Sequence, residues 1–133
     1  MQLKQYQADA LVVLRRFFEE ARMVGPKNAY ETITTEPDYA NRLGRYGGRY
    51  SAPLTDLPNM PYVCLRLPTG GGKTILGAHA VAVARDAWVE KDYPLVLWLV
   101  PTNTIRLQTV GAFGVDTAEK RAVCELWQRK SSS

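Results

Sequence analysis

Cysteine and histidine are nearly missing from this sequence. Two cysteines, Cys64 and Cys124, and one histidine, His79, stand among 133 residues. Neither cysteine has metal-ligand spacing around it and one histidine leaves no room for a zinc cluster, so a reduced, cytoplasmic chain is expected. Long apolar runs are also lacking. The longest, Leu95 to Val100, falls far short of the ~20 residues that cross a bilayer, so no membrane partner is expected. The start, Met1-Gln2-Leu3-Lys4-Gln5-Tyr6-Gln7, has no apolar signal core. There is no internal repeat, and low complexity is confined to Ser131-Ser132-Ser133.

Against those gaps, hydrophobic residues make up 46% of the chain, enough for a buried core and against global disorder. The length suits one domain at most. A formal charge of +4 and a pI near 9.2 suit a polyanionic partner such as nucleic acid, although many proteins without one are equally basic.

Apolar periodicity predicts an amphipathic N-terminal helix from about Lys4 to Met23. Its stripe is Tyr6, Ala10, Leu14, Phe17 and Ala21, widened by Leu11 and Phe18. Gly25-Pro26 reads as its stop. From Gly25 to Pro61 neither period is sustained, and an irregular loop is expected. Tyr62-Val63-Cys64-Leu65-Arg66-Leu67 reads as a buried strand, with Cys64 in the core, and Pro68 to Gly72 as a turn. Lys73 to about Trp88 reads as a helix whose face carries Ile75, Leu76, Ala80, Val83, Ala84 and Ala87. Leu95 to Val100 reads as a second strand, apolar on both sides, as in a parallel sheet covered by helices. The expectation is therefore an α/β fold, a βαβ unit of parallel strands flanked by helices. Ile105 to Val110 reads as the start of a further helix. Asp116 with Glu119 forms a capping box for a last one carrying Val123, Leu126 and Trp127.

The segment Leu67-Pro68-Thr69-Gly70-Gly71-Gly72-Lys73-Thr74 carries the clearest chemistry. Glycines let the backbone turn tightly, so that several N–H groups face a phosphate. The following helix offers its positive dipole end there. Lys73 can reach terminal phosphates, and Thr74 places a hydroxyl where Mg²⁺ sits between phosphate oxygens. The general pattern G-x-x-x-x-G-K-[ST] begins with glycine, and Leu67 stands there instead. A glycine-rich turn with an incidental Lys-Thr is the plain alternative. A preceding strand and a following helix argue for a phosphate-binding loop.

The same segment resembles motif I of superfamily 2 helicases of the DEAD/DEAH-box kind, with their RecA-like P-loop NTPase domain. Leu3-Lys4-Gln5-Tyr6-Gln7 resembles an element at the front of helicase-like restriction subunits. Val100-Pro101-Thr102-Asn103-Thr104-Ile105-Arg106-Leu107-Gln108 resembles motif Ia. The likeness is to the Res subunit of type III restriction enzymes, over about residues 1–110. It implies ATP and Mg²⁺ as cofactors, with Thr69, Gly70, Gly71, Gly72, Lys73 and Thr74 around the nucleotide and Thr74 on the metal. Gln7 would read adenine, because an amide both donates and accepts, or would simply face solvent on the helix. Tyr6 would pack near the base or in the helix core, and both remain open. Thr102, Asn103 and Arg106 would touch DNA, although the family often has arginine where Asn103 stands, and Arg106 also reads as a solvated helix charge. Arg42, Arg45 and Arg49, interleaved with Tyr39, Tyr46 and Tyr50, form a further candidate grip on nucleic acid, or a plain solvated loop. His79 reads as packing or surface.

One component of a hydrolytic site is lacking. After Gln108 the carboxylates Asp116, Glu119 and Glu125 include no adjacent pair to hold Mg²⁺ and align water. In the sheet that the resemblance implies, strands later in sequence lie between the two described above. The organisation expected is an incomplete helicase ATP-binding domain: helix and adenine-reading element at 1–24, loop at 25–61, βαβ unit with motif Ia at 62–110, and a divergent tail at 111–133. The function expected is the ATP-binding N-terminal portion of a DNA helicase or translocase, partnered by DNA and by the rest of the motor or a modification subunit. A non-catalytic nucleotide-binding fragment and a small-molecule kinase are the alternatives.

Overall fold

The computed structural model describes residues 3–43, 49–52, 54–100 and 102–112. The chain divides into two compact units, Met1–Leu95 and Val96–Ser133. The first is built on α1 (Gln5–Val24), whose apolar stripe buries Leu14, Phe17, Phe18 and Ala21 as its spacing demands. Gly25, at φ +87°, ends it by donating its N–H to the Ala21 carbonyl at 2.9 Å.

Gly25-Pro26 stops one helix and starts the next. Pro26 is the first residue of α2 (Pro26–Thr35), where a missing N–H costs nothing and a fixed φ is already helical. Pro37 repeats the device. It holds Glu36 extended (ψ 142°), breaks α2 there, and opens α3 (Pro37–Leu43). Residues 26–43 are thus helical where an irregular loop was expected. Two short helices offer too few turns for a period to stand out.

α2 folds back on α1. Ala29 and Ile33 enter the core, the rings of Phe17 and Tyr30 meet edge to face at 6.4 Å, and Arg16 grips both carboxylate oxygens of Glu36. The Tyr50 ring packs tilted against that of Tyr30, with centroids 5.5 Å apart. Its hydroxyl donates to the Met60 carbonyl and accepts from the Tyr62 N–H, which pins the segment leading to the glycine-rich turn.

α4 (Lys73–Ala84) packs on α1 through Val83 and half-buried Ala80 and Ala84. It runs into a π-helical turn, Arg85–Val89, closed by the Glu90 N–H on the Arg85 carbonyl at 2.8 Å. Ala87 is buried there, Trp88 lies 6.4 Å from Phe18, and Arg22 makes a two-pronged pair with Glu90. In the second unit the described element is α5 (Asn103–Ala112).

The α/β expectation is overturned. No strand forms among the described residues, which are helical or irregular. The segments 62–67 and 95–100 form no ladder. Leu95, Leu97 and Leu99 are 102%, 80% and 80% exposed. Cys64 is exposed as well, not in the core. The reason is structural. A helix satisfies its backbone groups internally, whereas a strand needs a neighbour, and these two segments are not sequential neighbours in the sheet that the resemblance implies. The last helix expected beyond Asp116 lies outside the described residues.

Candidate phosphate-binding loop

The glycine-rich turn survives without its strand, because local forces shape it. Gly70 and Gly72 adopt φ of +77° and +73°, a region that side chains disfavour. The Gly71 N–H closes a turn onto the Pro68 carbonyl at 3.0 Å. The Leu76 N–H makes the first bond of α4, to the Gly72 carbonyl at 3.0 Å. The N–H groups of Gly70, Gly72, Lys73, Thr74 and Ile75 have no partner among the described residues. Four of these, at Gly72 to Ile75, are the ordinary orphans of a helix start, where the dipole is positive.

Lys73 is exposed and folds back to donate from Nζ to the Pro68 carbonyl at 3.1 Å. The ammonium therefore lies over the same turn as the unpartnered amides. Thr74 is half-buried, and Thr69 and Gly70 are exposed. The first turn of α4 thus collects donors and one cation, the requirement for holding a polyphosphate. No group of three or more His, Cys, Asp or Glu residues converges among the described residues. A Mg²⁺ ion here would be held chiefly by the nucleotide itself, with Thr74 as the protein ligand.

α1 reaches the loop from the other side. Gln7 is 5% exposed; its Oε1 accepts from the Lys4 N–H at 2.9 Å, and its Nε2 donates to the Gly71 carbonyl at 2.8 Å. Tyr6, partly exposed, donates its hydroxyl to the same carbonyl at 3.0 Å. Tyr6 is 41% exposed, so the helix-core reading fails, and its hydroxyl takes a role that neither sequence reading named. The only hint of it in the sequence was the adjacency of two long polar side chains at the start of a helix.

Thr102 is exposed, and its Oγ1 accepts the Ile105 N–H at 3.3 Å, capping the start of α5. Asn103 is exposed beside it. Arg106 is half-buried, and its buried Nε has no partner. Tyr39 and Tyr50 pack against the core, and Arg49 is exposed. The Arg42 side chain, Arg45 and Tyr46 lie outside the described residues. His79 is exposed. No described helix is long and apolar enough to cross a membrane.

No curated protein and no solved structure matches the chain. A family model described as "Type III restriction enzyme, res subunit" matches residues 1–133. The match includes the segment 111–133, which by sequence alone had looked divergent. The chain belongs to the type III restriction enzyme res subunit family, a family of superfamily 2 helicase N-terminal domains.

Proposed function

We propose that this chain binds the triphosphate of ATP on the loop Thr69–Thr74 and serves as the ATP-binding part of a restriction-type DNA helicase or translocase. The observation that carries this reading is the cluster of unpartnered N–H groups at Gly70 and Gly72–Ile75, with the Lys73 ammonium folded over the same turn. Amides fixed by a backbone turn lose little freedom on binding an anion, and the helix dipole adds to their pull. Mg²⁺ carried by the nucleotide would screen phosphate charge, with the Thr74 hydroxyl as its contact. Family membership supports ATP and Mg²⁺ as the ligands.

DNA and a modification subunit are the partners that the family suggests. Thr102, Asn103 and Arg106 at the start of α5 are the residues assigned to a DNA phosphate. The isolated chain binds ATP without turnover, because no adjacent carboxylate pair follows Gln108.

Equilibrium titration of the purified chain with ATP, with and without Mg²⁺, tests the reading. Saturable binding is expected, lost in Lys73→Ala with helical circular dichroism unchanged. Equal affinity of parent and variant, or no binding by either, contradicts it.

A further inference from the structure

The Gly71 carbonyl accepts two side-chain hydrogen bonds from α1, at 2.8 Å from Gln7 Nε2 and at 3.0 Å from the Tyr6 hydroxyl. A carbonyl oxygen has two lone pairs, and both are occupied. The amide orientation of Gln7 follows from chemistry: the Lys4 N–H is a donor only, so Oε1 must face it and Nε2 must face Gly71. Gly72 makes the approach possible, since a Cβ there would lie 2.5 Å from Gln7 Nε2.

A peptide unit is planar and trans, so its C=O and N–H point in opposite directions. Holding the Gly71 oxygen toward α1 therefore aims the Gly72 N–H away from α1. A flipped peptide would present an oxygen where an anion needs a donor. We infer that Tyr6 and Gln7 form a clamp on the Gly71 carbonyl that sets the phosphate loop in its anion-binding form whatever base the nucleotide carries. Both are positioning residues, and the inference rests on the loop being a phosphate site, as proposed above.

The experiment uses the full chain with two probes, ATP and inorganic tripolyphosphate, which has no base. Tyr6→Phe removes only a hydroxyl. It is expected to weaken both probes by the same factor, about threefold to tenfold for one hydrogen bond. Gln7→Glu keeps the acceptor for Lys4 but sets an anionic oxygen against the Gly71 carbonyl. It weakens tripolyphosphate binding more strongly at neutral pH. Relative to the parent at the same pH, it recovers as the pH falls and the carboxyl, now a donor, takes up a proton. A merely structural defect has no reason to recover in acid. Hydrogen exchange without ligand gives a second measure: the Gly71 and Leu76 amides, bonded to Pro68 and Gly72, exchange faster in both variants, while amides in 14–21 do not change.

Loss of ATP binding with tripolyphosphate binding intact overturns the clamp in favour of base reading alone. Unchanged exchange at Gly71 and Leu76 also overturns it. If the parent binds neither probe yet the variants loosen those two amides, the ATP reading fails, and Tyr6 and Gln7 hold the turn without the anion-binding role inferred here. If the parent binds both probes and the variants match it, the clamp fails and the ATP reading stands.

Discussion

Leu14, on the apolar stripe of an amphipathic helix, and Leu97, in an uninterrupted apolar run, have opposite fates. Leu14 is 5% exposed, wedged with Phe17, Phe18 and Ala21 against α2 and α4. Leu97 is 80% exposed, between Leu95 and Leu99, which are as open. Hydrophobicity alone does not decide burial. α1 closes its own hydrogen bonds and then needs only a surface to lie on, which α2 supplies one residue later in the chain. The segment 95–100 needs a neighbouring strand before burial can begin, and none is present among the described residues.

Four substitutions break or sharpen that contrast. The largest effect is expected at Phe17, which is 4% exposed and touches Phe18 and Tyr30. Phe17→Ala should cost about 3–5 kcal/mol in urea unfolding. A cost under ~1 kcal/mol would mean that the α1–α2 core is not what holds the first unit together. Gly72→Ala comes next, at about 1–3 kcal/mol for a side chain at φ +73° pressed against Gln7, with loss of tripolyphosphate binding. Retention of full binding would show that the tight approach is dispensable.

A smaller effect attends the Arg16–Glu36 pair. The guanidinium donates to both Glu36 oxygens and holds that carboxyl below its ordinary range; Arg85, and then Arg15, do the same for Asp86. A depressed folded value means that the contribution is present above the unfolded carboxyl pKa and is lost as pH falls through the folded one. Acid titration of stability should therefore show a decline through and below the ordinary carboxylate range. Glu36→Gln should remove part of that decline, and an identical acid limb in the variant would contradict the assignment. The smallest effect belongs to Leu97→Ser, expected within about 0.5 kcal/mol of the parent. A cost as large as that at Phe17 would show that the 95–100 segment is buried after all.

What the sequence disclosed divides along the same line. The N-terminal helix, its buried stripe and the helix after Lys73 were readable, because a 3.6-residue period is written in the chain that obeys it. The glycine-rich turn was readable too, since Gly70 and Gly72 are the residue type that positive φ requires. α2 and α3 were missed because Pro26 and Pro37 look like breakers and act as helix starters. The strands were misread because an apolar run does not say whether a partner is beside it. The meeting of Tyr6 and Gln7 with Gly71, some sixty residues away, follows from α1 packing on α4, which no local pattern encodes.

The amide spectrum of the isotope-labelled chain during titration with MgATP tests the central claim most directly. The largest shifts should fall on Gly70, Gly72, Lys73, Thr74 and Ile75, and should vanish in Lys73→Ala. Shifts centred on other residues, or a spectrum that MgATP leaves unchanged, would contradict the account.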